Sequence, residues 1–234
     1  FFLYFVGLFI FGALSLSERK AFGAILLICI ASILFWAGFE QAGSSLNLFT
    51  RDFTNRLVAN FEIPTAWFQS INSIFIIILS PFFASLWINL GKRLTQPYFG
   101  LKCAAGLLTM ALGFIVMFFA AQVAASGLKV APSWLITTYF LHTVGELCMS
   151  PVALSAISKL SPKRFTGQMM GLFTLTYSIG SLLAGLIAGK FNPENVQEMP
   201  LLFLQIGTYS IIAGLIVGFC SLLSRHWESM QIDK

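Results

Sequence analysis

The stretch PSWLITTYFLHTVGELCMSPVALSAI, running from Pro132 to Ile157, decides the fold. It is long and apolar enough to cross a bilayer, since about 20 such residues rising about 1.5 Å each cover the hydrocarbon core. Glu146 lies close to its middle. An aspartate at that depth costs about 2.5 to 3.5 kcal/mol to insert, and glutamate is similar. A cost of that size calls for a partner, a water-filled cavity or a proton that comes and goes. An intramembrane acid therefore marks a functional site by default, the alternative being a structural carboxyl bonded to a neighbouring helix.

The rest of the chain has the same character. Of its 234 residues 57% are hydrophobic and only 10% charged, where soluble domains average about 25% charged. The mean hydropathy is +0.84. Apolar runs lie near 1–16, 21–46, 65–90, 98–126, 132–158, 167–189 and 201–224, an all-α membrane bundle of six complete spans behind one partial span. The opening Phe1-Phe2-Leu3-Tyr4 carries no Met and no basic leader. It reads as the tail of a helix cut short, and the sequence as a fragment. The expected division is the end of a linker helix over 1–16, a six-helix bundle over 17–225 and a tail over 226–234.

The basic residues orient the chain. One alternating set of loops and ends holds Arg19, Lys20, Lys92, Arg93, Lys102, Lys159, Lys163, Arg164, Arg225 and Lys234, while the other holds Arg51, Arg56, Lys129 and Lys190. The excess places the first set, and the C-terminus with it, in the cytoplasm. The pI near 9.2 is thus a topology signal. Nucleic acid is excluded as a partner, because no soluble face gathers the charge. The four cysteines, Cys29, Cys103, Cys148 and Cys220, share no metal or redox spacing and read as buried apolar residues.

Polar stripes mark the candidate site. Thr138, His142, Glu146 and Ser150 fall four apart on one helix face. Pro151 follows, removes its own backbone donor and frees the Leu147 carbonyl, so a kink is expected there. Trp36, Glu40 and Ser44 form a second stripe, and Gln69, Asn72 and Ser73 share a face of the next run, with Pro81 further in. His142 is expected to make a packing hydrogen bond, since a lone histidine is poor grounds for a metal. Ser181, Gly185 and Gly189, and Ser210, Gly214 and Gly218, read as two seams where backbones approach closely. No Lys or Arg lies deep in any run. The deep groups can carry protons or hold an amine, but cannot neutralise a substrate carboxylate.

Six spans are half of a twelve-span carrier of the major facilitator type, and Leu86-Trp87-Ile88-Asn89-Leu90-Gly91-Lys92-Arg93 resembles a degraded form of that superfamily's cytoplasmic loop. Three further segments are more specific. They are Phe35-Trp36-Ala37-Gly38-Phe39-Glu40-Gln41-Ala42-Gly43-Ser44-Ser45-Leu46, then Phe68-Gln69-Ser70-Ile71-Asn72-Ser73-Ile74-Phe75-Ile76, then Gly145-Glu146-Leu147-Cys148-Met149-Ser150-Pro151-Val152-Ala153-Leu154-Ser155 with Gln168-Met169-Met170-Gly171. In this order on successive helices they resemble the proton-dependent oligopeptide transporter family, over nearly the whole chain as its C-terminal six-helix half.

The resemblance implies proton-coupled symport of di- and tripeptides by alternating access in a bacterial inner membrane. No cofactor is implied beyond the coupling protons, and no catalysis. By motif position Glu146 looks like the acid that meets the peptide amino terminus, with Asn72 beside it and Ser150 lining the same pocket. Glu40 looks like the proton-coupling carboxylate, a role to which Glu146 also contributes, and Trp36 belongs to the same substrate-facing stripe. Phe173 stands where many members have a Trp walling a side-chain pocket, and Phe39 where some have a second acid. The implied partners are small peptides, protons, lipid and an N-terminal half that brings the cations for the peptide carboxylate. The competing readings are a facilitator carrier of another solute (drug, sugar or nitrate) and a membrane interaction module that does not transport.

Overall fold

Backbone N–H and C=O groups in hydrocarbon must be satisfied within the chain, so apolar runs of this length become helices. The computed structural model describes residues 2–58, 60–93, 99–189 and 196–232, with the side chains of all of these except 93 and 224–232. The helices are α1 (Phe2–Phe11), α2 (Leu16–Phe39), α3 (Ser45–Phe53), α4 (Thr65–Arg93), α5 (Phe99–Ala125), α6 (Pro132–Leu160), α7 (Thr166–Ala188) and α8 (Met199–Ile232). Six helical segments are long and apolar enough to span, with α2 and α3 together making the first. The backbone of α8 continues through 226–232 with no break at residue 226.

Helix α2 starts ahead of the apolar run at 21 and takes Ser17-Glu18-Arg19-Lys20 into its first turns. Ser15 caps that helix, accepting from the Glu18 N–H at 3.3 Å while Glu18 Oε2 accepts from the Ser15 N–H at 2.8 Å. This reciprocal pairing satisfies two of the free donors at a helix start. The connection after the first span carries more structure than a loop. Beyond α3, Leu57–Val58 (β1) pairs antiparallel with Phe61–Glu62 (β2).

The two ends of the bundle are separately knitted. At one, Asn55 and Val130 join the loops before α4 and α6, Lys129 donates to the Asp52 carbonyl at 2.8 Å, and Gln197 donates to the Ala125 carbonyl at 2.9 Å. At the other, Arg164 reaches the Ala13 carbonyl at 3.2 Å and Glu18 Oε2 at 3.2 Å. Arg51, Arg56 and Lys129 fall at the first end, and Arg19, Lys20, Lys159, Lys163 and Arg164 at the second. The side chains of Arg93, Lys190, Arg225 and Lys234 lie outside the described residues.

Helix α5 is the central strut, packed along α8 and α6, while α2 lies against α7 and α8. Phe22, Phe35, Met110, Phe114, Met117 and Phe203 are fully buried between them. Close approach is bought with glycine at the α5–α6 crossing. A Cβ on Gly106 would stand 2.8 Å from the Gly145 carbonyl oxygen, and one on Gly145 would stand 2.8 Å from that of Gly106. Both obstacles are backbone, so the helices themselves would have to part. Gly106→Val is therefore expected to cost about 3 kcal/mol or more and to lower the thermal midpoint of the purified intact protein by roughly 3 °C or more. A midpoint within 1–2 °C of the unsubstituted protein would refute that account.

The seams divide. Gly214 packs as expected, since a Cβ there would meet Leu108 at 3.0 Å and the Ala104 carbonyl at 3.3 Å. The seam assigned to Ser181, Gly185 and Gly189 is one residue out. Nothing approaches Gly185, whereas Thr176, Gly180 and Ala184 are buried and a Cβ on Gly180 would stand 2.5 Å from that of Trp36. Both spacings are four residues, and only the rotation of α7 about its axis separates them.

Of the spans, α4 and α7 are the least covered. In their most apolar windows 6% and 17% of residues are buried, against 56% in those of α2–α3 and α5. These two helices therefore offer the most uncovered surface of the six spans.

Candidate functional site

The first apolar span breaks at its acid. Regular α-helix ends at Phe39, a single 3-10 turn runs over Glu40–Gly43, and α3 resumes at Ser45. The expected α-helical stripe through Trp36, Glu40 and Ser44 is therefore interrupted at its centre. Gln41 holds the break together. Its fully buried side-chain amide donates to the carbonyls of Ala37 at 3.2 Å and, across on α7, Ala184 at 3.1 Å, and its oxygen accepts from Ser45 at 2.6 Å. Glu40, half-buried, turns to α7 and accepts from the Tyr177 hydroxyl at 2.7 Å. The Tyr177 ring lies 4.5 Å from that of Trp36, which also meets Phe35 and Phe39 edge-on at 5.5 and 5.2 Å.

Helix α6 brings the second acid. Glu146 Oε2 accepts from Asn72 Nδ2 of α4 at 3.3 Å, and Asn72 Oδ1 in turn accepts from Thr143 Oγ1 at 2.5 Å. Thr143 is anchored by its own turn, since its single O–H is shared with the Tyr139 carbonyl at 2.7 Å. This chain turns the Asn72 amide so that its N–H points at the carboxylate. Glu40 is thus tied to α7 and Glu146 to α4, the two most exposed spans.

The α6 stripe does not keep one environment. Thr138 and His142 bury against α5, where Thr138 donates to the Gly113 carbonyl at 3.4 Å and the His142 ring packs 4.8 Å from that of Phe114, in the notch that Gly113 leaves. Glu146 faces α4 instead. Ser150, one turn on, has a buried hydroxyl with no hydrogen-bond partner among the described residues, so it keeps a donor and an acceptor to offer. The carbonyl freed by Pro151 is met from outside the helix, by Trp87 Nε1 of α4, which donates to Leu147 O at 3.3 Å. Phe173 is half-buried against the core.

A cavity of about 200 Å³ opens at the α2 break, lined by Phe39, Glu40, Gln69, Asn72, Tyr139 and His142 among others. It joins the break to the Asn72 arm of the Glu146 chain. The structure thus brings Glu40, Asn72, Glu146 and Trp36 into one connected region. Sequence reasoning does not single out Tyr177, Thr143 or Gln41. Tyr177 lies four residues beyond Phe173, and that spacing is the one signal that could have found it.

What this region resembles is specific. The POT family profile matches residues 7–210. A protein of Yersinia enterocolitica, "Peptide transporter YePEPT", is 41% identical over 217 residues, 92% of this chain and 42% of its own length. "Dipeptide and tripeptide permease A" of Chromobacterium violaceum is 30% identical over 98% of this chain and 47% of its own length. A crystal structure of peptide transporter POT in complex with sulfate superposes with a TM-score of 0.87 at 35% identity, over 97% of this chain and 45% of that one. A mutant peptide transporter POT in complex with alafosfalin superposes at 0.86, also at 35% identity. The chain spans less than half the length of the relatives described here.

Proposed function

The chain belongs to the POT family, and from that premise we propose that it forms the C-terminal half of a proton-coupled carrier of di- and tripeptides. The observation that carries the reading is that Glu40 lines one intramembrane cavity together with Asn72, the amide that holds Glu146. Carboxylates bordering a cavity within a membrane attract a cation, and a peptide amino terminus is one. Among the described residues no lysine or arginine reaches them. The peptide carboxylate is then met by cations from the other half, packed over the exposed surfaces of α4 and α7.

In this reading Glu146 receives the peptide ammonium, with its carboxylate oriented by Asn72 and, through it, by Thr143. Ser150 offers its free hydroxyl to the peptide, while Trp36 and Phe173 wall the pocket. Glu40 carries the coupled proton, and Glu146 shares in that duty when no peptide is bound. A carboxyl with little water about it takes up a proton and gives it up when a cation arrives or the cavity wets. The 3-10 break places Glu40 at a joint in its span, so protonation there acts on helix geometry. The proposed setting is a bacterial inner membrane with the C-terminus in the cytoplasm, the coupling ion being the proton and no cofactor being required.

The names of the relatives and the solved structures support the substrate class. The test is competition in proteoliposomes holding the intact protein. Di- and tripeptides are expected to block uptake of a labelled dipeptide, whereas free amino acids at the same concentration leave it unchanged. Equal inhibition by both, or none by either, would end the peptide reading in favour of a carrier of another solute.

A further inference from the structure

We propose that the Tyr177 hydroxyl is a positioning group for Glu40: it holds the carboxylate at the joint of α2 to α7, and its bond governs how readily Glu40 takes the coupled proton. The inference rests on the coupling role proposed for Glu40.

The geometry is particular. The break is tied to α7 in two places. One tie runs from the Gln41 amide to the Ala184 carbonyl at 3.1 Å. Neither group titrates, so this tie is permanent. The other runs from the Tyr177 O–H to Glu40 Oε1 at 2.7 Å. A hydrogen bond to an ionised acceptor is roughly twice as strong as one between neutral groups, so this second tie is tight while Glu40 is charged and slackens once it is protonated. Of the two, only this one reports the proton.

Tyr177 is suited to the task. Its ring is braced against Trp36 at 4.5 Å, which fixes the direction of the hydroxyl, yet 45% of the residue stays exposed. A change at Glu40 is therefore communicated to the surface that the proposed second half would cover. The titratable groups about Glu40 are Tyr177 on α7 and Glu146 and His142 on α6, while α4 brings the neutral amides of Gln69 and Asn72. Of these groups, the one hydrogen-bonded to the Glu40 carboxylate is the Tyr177 hydroxyl.

The test uses the intact protein in proteoliposomes and compares the unsubstituted protein, Tyr177→Phe, Glu40→Gln and the double variant. Phenylalanine keeps the ring against Trp36 and removes only the donor. In Tyr177→Phe the alkaline limb of the pH profile of proton-driven dipeptide uptake is expected to move up by about one unit, since a hydrogen bond to a charged group is lost and water replaces part of it. Peptide counterflow, which needs no net proton movement, should fall less than twofold (about 0.4 kcal/mol). In the Glu40→Gln background the same change should add nothing. An unmoved pH profile overturns the inference, as does an equal loss of driven uptake and counterflow, which would make Tyr177 a packing residue. Either result leaves the proposed function standing if the unsubstituted protein is proton-driven and Glu40→Gln is not. Absence of proton-driven uptake in the unsubstituted protein ends both.

Discussion

Proton-driven accumulation of dipeptide is expected to vanish in Glu40→Gln while peptide counterflow persists. One elementary charge crossing 100 mV carries about 2.3 kcal/mol, which sustains roughly a fiftyfold concentration ratio. A carrier that has lost its coupled proton keeps none of it, so internal and external peptide should come to the same concentration. Glutamine keeps the length of the side chain and an oxygen to accept from Tyr177, so the α2–α7 tie is preserved in form. The measurement is labelled dipeptide uptake under an imposed pH and voltage gradient, beside counterflow without one. Undiminished accumulation would remove Glu40 from the coupling role, and loss of both activities would assign it to the binding site or the fold.

Glu146→Gln is expected to act on binding. The replacement is isosteric and can still accept from Asn72, so the α4–α6 connection survives. What disappears is the charge opposite the peptide ammonium. A hydrogen bond between charged groups contributes about 1.5 to 3 kcal/mol, so the apparent affinity for dipeptide should fall roughly tenfold to a hundredfold. Counterflow at low peptide concentration should suffer in proportion and recover partly at high concentration. Peptides with a blocked amino terminus provide the control, because they lack the ammonium and should bind the variant and the unsubstituted protein alike. If the variant discriminates between free and blocked peptides as strongly as before, the ammonium is held elsewhere.

The two variants probe different ends of one connected arrangement, and that arrangement was only partly legible in the sequence. The depth of Glu40 and Glu146 follows from their positions along apolar runs, because the rise per residue of a helix is invariant. The consequence of Pro151 is equally local. A proline must orphan the carbonyl four residues back, and that carbonyl, on Leu147, is the one Trp87 meets. The first span starts earlier than its apolar run for a local reason too: Ser15 and Glu18 spell a capping box, which takes the charged residues at 17–20 into the helix.

The elements that sequence misplaced share another cause. The spacing of Thr138, His142, Glu146 and Ser150 states correctly that they lie along one side of α6, yet two of them pack on α5 while Glu146 reaches α4. The seam of α7 runs through Thr176, Gly180 and Ala184, one residue from the one inferred. Tyr177 belongs to the site only because of that rotation. By itself, then, the amino-acid sequence determined how many spans there are, how deep each acid lies and which family the motifs resemble. The tertiary structure decided which way each helix turns, and so which neighbours Glu40 and Glu146 have. The physical reason is that helical periodicity sets the angle between two residues of one helix but not the rotation of that helix about its axis. In water the hydrophobic effect would choose that rotation. In a bilayer the lipid is as apolar as the protein interior, and the choice falls to close packing and a few interhelical hydrogen bonds.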